Sequence, residues 1–482
     1  MLAIIASAFG GVAWGILGGA LPGISPSITM ALLVPFTYGM DPTPAVVMLA
    51  ATYVGAEYGG SIPAILIRTP GTNAAAATVI DGYAMKQQGK AGEALGISLY
   101  SGFVGGLFGL IVLVLLTERL SAVALAFTPQ AYFALGVLGL SVIASLSRES
   151  LVKGLMAGVL GLMISTIGTD PVTGLSRFTF DSPELLSGIP PILLMVGLYA
   201  ISELFVQTGE PAWEQAERGS ARIRFPTPAL WRRLALPQAI GCVMGTIEGV
   251  MPGGGGTVSA FLAYNEARRW SRRKDEFGKG SPEGVAAPET ANNTVACTAL
   301  IPMLSLGIPS SNSAAVLLGG FLIHGLIPGP LLFVQHADVV NGLYAGLLTA
   351  NIAMVIVGYV MMTPCLWLVS RPKPYLMAFI YALVVSGVYA IENSLFHVGV
   401  ALGFGVLGYA MRHVRMPFLP MVLGLVLGFM VESNYRRALV LSSGSHMTFL
   451  EDRISAVLLS LAVLFIIGSL VRHAMEHRRA RG

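Results

Sequence analysis

The sequence predicts an all-α polytopic membrane protein: two inverted-topology repeats with broken helices or re-entrant hairpins, and roughly 11–14 spans of about 20 apolar residues each. Three observations lead there. First, 54% of the 482 residues are hydrophobic and 11% are charged, with a mean hydropathy of +0.73, whereas a soluble domain carries about 25% charge. Second, the apolar runs are long and continuous, which suits helices; barrel strands would be shorter and alternating. Third, a Gly/Pro-interrupted phrase occurs twice. GVAWGILGGALPG (11–23) returns as GCVMGTIEGVMPG (241–253), so that Gly11, Gly15, Gly19, Pro22 and Gly23 recur as Gly241, Gly245, Gly249, Pro252 and Gly253. A second pair follows, IPAILIRTPGTNAA (62–75) and IPMLSLGIPSSNSA (301–314). Paired interruptions at matching places in two hydrophobic halves mark a transporter built from repeats.

Along the chain, residues 2–21 lack a basic leader and read as part of the mature protein. Each first phrase then forms a hairpin or re-entrant element, and residues 44–80 and 286–325 each cross an odd number of times. Clear spans lie near 92–116, 128–146, 151–168, 188–206, 342–368, 375–391, 395–411, 416–431 and 454–472. The organisation is therefore repeat A (1–206), a basic loop (207–233), repeat B (234–433), and an extra helix with a basic tail (434–482). With the 207–233 loop placed in the cytoplasm, most of the 29 Lys and Arg residues, including Arg148, Arg218, Arg371 and Arg481, fall on that side. The C-terminus is then cytoplasmic. Corresponding loops of the two halves fall on opposite faces, which gives the inversion. A fainter match pairs Pro129 and Tyr132 with Pro372 and Tyr375.

Candidate chemistry sits at the breaks. LPGISPS (21–27) and MPGGGGTVS (251–259) are too rich in Gly and Pro to stay helical, and each precedes an apolar segment. Their free N–H groups occupy a half-helix N-terminus, which attracts carboxylates. Pro22, Gly23, Ser25, Ser27, Gly253, Gly254, Thr257 and Ser259 belong to this pair. TPGTN (69–73) and IPSSNS (308–313) repeat the design with Thr72, Asn73, Ser310, Ser311 and Asn312. Four such breaks enclose one midplane anion site; the structural alternative is that they only ease helix packing. Arg68 is the one cation placed inside a span, where insertion costs about 3 kcal/mol on translocon scales. A substrate carboxylate is its natural partner, a salt bridge to Glu57 or snorkelling the alternative. Glu57, Glu248 and Glu289 are acids in apolar context, and Glu289 with Asn292 and Asn293 forms an oxygen cluster suited to Na⁺ or a proton. Structural hydrogen bonding is the other reading. Asp81 reads as a loop or cap residue, and Gly278 and Gly280 as ordinary loop glycines.

Several classes are excluded. MPGGGG lacks the GK[ST] ending of a phosphate loop. Cys242, Cys297 and Cys365 give neither a disulfide framework nor a zinc pattern and read as packed thiols. The histidines show no ligand spacing, no metal site is expected, and the net charge of +4 does not signal nucleic acid. No acidic metal motif or nucleophile–base pair points to an enzyme.

The motifs resemble the large permease subunit of the tripartite tricarboxylate transporters, the TctA family. LPGISPSITMALLVPFTYGMDP (21–42), YGGSIPAIL (58–66), PGTNAAAATVIDGYAM (70–85), IGTDPVTGLSRFTF (167–180), MPGGGGTVSAFLAY (251–264), FGKGSPEGVAAPETANN (277–293) and LGIPSSNSAAVLLGG (306–320) carry the resemblance. It implies a secondary importer in a bacterial inner membrane, a small four-helix membrane partner, a periplasmic solute-binding protein, and a di- or tricarboxylate substrate moved with Na⁺ or H⁺ by alternating access. A stand-alone carboxylate carrier, or a channel without partner subunits, is the alternative. Arg68 and Ser310 depart from the family pattern, which expects an uncharged residue and a Gly there.

Overall fold

A computed structural model describes residues 1–124, 127–146, 151–170, 173–209, 222–251, 255–369 and 373–479. Pro252, Gly253, Gly254, Arg148, Arg218, Arg371, Pro372 and Arg481 lie outside these residues. Helices build nearly all of it. The first half forms α1 (Leu2–Gly19), α2 (Pro26–Thr37), α3 (Pro42–Gly59), α4 (Ser61–Ile67), α5 (Ala76–Gln87), α6 (Ala91–Ala124), α7 (Pro129–Leu146), α8 (Leu151–Ser165), α9 (Pro191–Met195) and α10 (Ser202–Gly209). Residues 196–201 are π-helical. The second half forms α11 (Pro228–Val250), α12 (Gly255–Trp270), α13 (Pro282–Thr298), α14 (Leu300–Leu306), α15 (Asn312–Ile323), α16 (Leu332–Gln335), α17 (Ala337–Val360), α18 (Met362–Val369), α19 (Lys373–Glu392), α20 (Leu395–His413), α21 (Phe418–Leu441), α22 (Thr448–Glu451) and α23 (Arg453–Arg479). Among the described residues, seven helices are long and apolar enough to cross a membrane, and five shorter helices are also apolar. This is the all-α polytopic membrane class that composition requires.

The chain divides into two compact units, each drawing on both halves of the sequence: residues 1–121 with 199–393, and residues 122–198 with 394–482. In the first unit the repeated phrases occupy matched positions. Helix α1 packs along α3, and α11 packs along α13. The recurring glycines make these contacts: a Cβ on Gly15 would stand 2.3 Å from the Thr52 carbonyl oxygen, and one on Gly245 would stand 2.5 Å from that of Ala291. The second half adds hydroxyl cement, since Thr298 Oγ1 donates to the Gly245 carbonyl at 3.1 Å.

The 44–80 and 286–325 segments also share one plan. A long helix (α3, α13) leads to a seven-residue helix (α4, α14), then an unwound loop, then a twelve-residue helix (α5, α15). Helix α14 ends on Gly307 in the left-handed region (φ 73°) and α4 ends on Arg68 in the same region (φ 59°). In both loops a hydroxyl takes the N–H three residues on: the Ala75 N–H, just before α5, donates to Thr72 Oγ1 at 3.3 Å, and the Ala314 N–H, in the first turn of α15, donates to its N-cap Ser311 Oγ at 3.1 Å. In the first half the Gly71 N–H donates to the Gly60 carbonyl at 3.0 Å. At the matching place Ser310 Oγ donates to the Ala299 carbonyl at 3.4 Å. Ser310, the departure from the expected Gly, thus replaces a backbone bond with a side-chain one.

In the second unit α8 and α7 pack on α21, and α23 packs on α7. The segment after α8 forms a short antiparallel hairpin, Gly168 opposite Arg177 and Thr169 opposite Ser176. It is fastened by ions: Arg177 reaches Glu432 at 2.7 Å and Asp170 at 3.6 Å, and Arg436 reaches Asp170 at 3.0 Å and Glu432 at 2.6 Å. Arg177 and Glu432 also line a cavity of about 340 Å³ with Gly168, Phe429 and neighbours.

Placing Val at position 15 or 245 is expected to cost about 1–3 kcal/mol by overpacking, and helix-long contacts leave little room to relax. Gly403, inside α20, meets nothing within 4 Å, so Gly403→Ala should be neutral or stabilising by up to about 1 kcal/mol. Thermal melts of the purified variants check both.

Candidate functional site

The break loops are built by the need to satisfy helix ends where water is scarce. After α1, residues 20–25 turn through Gly23 (φ 81°), and Ser25 caps α2, accepting the Ile28 N–H at 3.4 Å while its Oγ lies 2.8 Å from Ser27 Oγ. Pro22 and Ser27 are buried. Thr257 lies half-buried in the first turn of α12, and Ser259 Oγ donates to the Gly256 carbonyl at 2.9 Å.

The first unit brings the loops together. Gly71 packs so closely that a Cβ there would lie 1.9 Å from the Gly19 carbonyl oxygen, joining the two breaks of the first half. Gly256, at the start of α12, packs against Asn292 and against Ala74 from the first half's second break. The flanking Gly255 faces Ser311 at about van der Waals distance, 4.0 Å from a built Cβ. Tyr199, just before α10, donates its hydroxyl to Asn312 Oδ1 at 3.1 Å. Asn73 and Asn312 occupy matching places and both are exposed. Asn312 therefore keeps its amide N–H₂ as a donor, with its acceptor end taken.

Two buried carboxylates stand behind the loops. Glu57 on α3 accepts from Asn292 Nδ2 at 2.8 Å. Glu289 on α13 accepts from Ser61 at 2.6 Å, from Ser98 at 2.9 Å and from Thr78. It thus ties α13 to α4, α5 and α6. Asn293 Nδ2 turns back to the Glu289 carbonyl at 3.0 Å. The oxygens Asn292 Oδ1 and Asn293 Oδ1 are buried without a hydrogen-bond partner among the described residues. No group of three or more His, Cys, Asp or Glu gathers among the described residues. Glu248 is half-buried on α11, and the three cysteines are buried and free.

Arg68 differs from expectation in its surroundings. Its side chain is exposed, and its guanidinium sits over the Tyr83 ring at 5.9 Å. Glu57 pairs with Asn292 instead of Arg68. The left-handed backbone at Arg68 costs a non-glycine residue roughly 1–2 kcal/mol, while its counterpart Gly307 adopts it freely.

Asp81 and the glycines after α12 also correct the reading from sequence. Asp81 is inside α5 and fully buried. Its Oδ1 accepts the N–H groups of Gly278, Gly280 and Ser281 at 2.9, 2.8 and 2.7 Å, and its Oδ2 accepts the Tyr264 hydroxyl at 2.9 Å. Gly278 (φ 81°) and Gly280 (φ 98°) turn their amides inward to reach it. Nearby, Arg233 binds Glu283 at 2.8 Å and also Glu276, whose carboxyl that hydrogen bond holds below its usual range. The DGYAM and FGKGS motifs are thus two sides of one clamp. Sequence reasoning missed Tyr199 as well; the polar residues that follow it in YAISELFVQ (199–207), inside an apolar span, were the available signal.

Fold and breaks together define a polytopic helical membrane protein whose interrupted helices meet in its interior. The chain belongs to the Tripartite tricarboxylate transporter TctA family, whose model matches residues 5–423. It is therefore a subunit of a transporter of more than one component. It is 37% identical over 471 residues to an Agrobacterium vitis protein described as "Uncharacterized 52.8 kDa protein in TAR-I ttuC' 3'region", covering 96% of this chain and 92% of that protein. A second Agrobacterium vitis protein, "Uncharacterized protein in TAR-II ttuC' 3'region", is 35% identical over 229 residues, covering 47% of this chain and 94% of its own length. No solved structure matches the chain.

Removing the Asp81 carboxylate strands the N–H groups of Gly278, Gly280 and Ser281, of which only Ser281 is a buried residue, and the hydroxyl of buried Tyr264, at about 1–3 kcal/mol for each buried group left unsatisfied. Asp81→Ala is expected to open the 271–281 loop to protease at concentrations that leave the parent intact, and Asp81→Asn to fall between the two.

Proposed function

We propose that this chain is the membrane permease of a binding-protein-dependent secondary transporter that imports di- or tricarboxylates or related organic acids across the bacterial inner membrane. The observation that carries this reading is the meeting of the break loops in one unit: Gly71 on Gly19, Gly256 on Ala74 and Asn292, Ser311 beside Gly255. Unwound backbone at half-helix N-termini gives dipoles and N–H donors suited to carboxylates. Ser25 and Ser311 cap two of those ends and Thr72 holds the turn into α5, Asn73 and Asn312 add donors, and Arg68 adds an exposed cation. Thr257, Ser27, Ser310, Pro22 and Gly23 shape the loops; Gly253 and Gly254, assigned to the same site from the sequence, lie outside the described residues.

In this reading the two sequence repeats are inverted in the membrane, and alternating access exposes the site to each side in turn. A periplasmic solute-binding protein delivers the acid, and a small four-helix subunit completes the membrane complex. An inside-negative potential opposes anion entry by about 2.3 kcal/mol per charge per 100 mV, so uptake needs a co-transported cation. Glu57, Glu289, Asn292 and Asn293 supply its oxygens, taking Na⁺ or H⁺, with no other cofactor.

Uptake by the complete transporter in membrane vesicles tests the reading. Asn73→Ala with Asn312→Ala should raise the half-saturating acid concentration about tenfold or more, each lost charge-assisted hydrogen bond being worth roughly 1.5–3 kcal/mol. Normal uptake by a well-inserted double variant would remove the break-loop site. Arg68→Gly relieves the left-handed backbone, so it should hold or raise the melting temperature while lowering uptake, di- and tricarboxylates most.

A further inference from the structure

Helix α10 and the π-helical turn before it carry a stripe that no part of the anion site accounts for. Tyr199, Glu203 and Gln207 follow at i, i+4 and i+8, which places them on one helical face, and all three are buried. The turn holding Tyr199 is π-helical, a distortion frequent at functional sites. Both ends of the stripe meet break loops. Tyr199 binds Asn312, and the Gln207 amide lies on Gly23 so tightly that a Cβ there would sit 2.1 Å from Gln207 Nε2. Gln207 Nε2 donates to Glu203 Oε1 at 2.9 Å, which fixes the amide and leaves Oε1 as its open end. Gln207 is 5% exposed, and Oε1 is buried without a hydrogen-bond partner among the described residues.

An acceptor at this place has a definite chemical meaning. The N–H groups and hydroxyls of the loops suit carboxylate oxygens, whereas a carbonyl oxygen repels them. A donor carried by the ligand is the complement that Gln207 Oε1 calls for. We propose that Gln207 is a specificity-determining residue of the break-loop site, accepting a hydrogen bond from a hydroxyl of the transported acid, so that the preferred substrates are hydroxycarboxylates. This rests on the carboxylate reading above. Tyr199 is a positioning residue: by occupying Asn312 Oδ1 it turns the Asn312 N–H₂ toward the anion.

Titration calorimetry on the purified full chain tests this without selection by other subunits. The probes are malate against succinate and citrate against tricarballylate, pairs that differ by one hydroxyl. Wild type should bind the hydroxylated member about tenfold more tightly, the worth of one hydrogen bond of about 1.4 kcal/mol. Gln207→Met, close in volume and without an acceptor, should bring the members of each pair within about twofold, chiefly by weakening the hydroxylated one. Gln207→Asn, which withdraws the amide by one methylene, should also shrink the preference and serves if the Met variant does not insert. Tyr199→Phe should weaken both members alike. An unchanged ratio in the Gln207 variants, or no preference in wild type, overturns the role of Gln207 while leaving the carboxylate reading standing. Failure of wild type to bind any of the four acids would overturn both.

Discussion

A helix interrupted inside an apolar medium must find partners for its free backbone groups within the protein, because each one left bare costs several kcal/mol. That constraint organises the first unit. Ser25, Thr72 and Ser311 each take an N–H at the start of the helix that follows a break, and the Gly71 N–H and the Ser310 hydroxyl reach back to the residue joining the preceding pair of helices. Glycine does the rest of the work by letting loops and helices touch. Breaks satisfied this way are drawn to each other and away from lipid. The same geometry that makes the interruptions tolerable therefore concentrates donors in one place.

The buried carboxylates follow from that arrangement. Glu57 and Glu289 are expensive to bury alone, and each is repaid by neutral donors: one amide for Glu57, three hydroxyls for Glu289. These bonds run between sequence halves, from α3 to α13 and from α13 to α4, α5 and α6. Asp81 does the same at another point, fixing the α12–α13 connection to α5 through backbone amides. A buried anion held by several donors sets register between elements that apolar packing alone leaves free to slide. In a transporter subunit, such ties decide which helices move together.

Much of this was legible in the sequence, and the reason is physical. Gly and Pro at fixed places have few uses in a hydrophobic chain, so the phrases at 11–23 and 241–253 located the packed helix pairs and the breaks. Apolar continuity gave the all-α class. Side-chain surroundings were harder to read. Arg68 looked like a buried cation because its neighbours in sequence are apolar, yet it terminates a seven-residue helix and faces outward over Tyr83. Asp81 looked like a loop residue because DG is a turn signal, but its partners are nearly 200 residues away. Gln207 and Tyr199 sit in an apolar span, and only the fold places them beside Gly23 and Asn312. Long-range pairing leaves no local periodicity to find.

The central claim is that break loops from both repeats serve one anion. Cysteines at Asn73 and at Asn312, both exposed and set against three buried native thiols, can be labelled separately with a water-soluble maleimide while a di- or tricarboxylate is titrated, at concentrations raised to offset the lost amide. The account predicts that the same acid protects both positions, with half-protection concentrations that agree within about threefold. Protection of one position only, or of neither, by every acid that the transporter carries would contradict it.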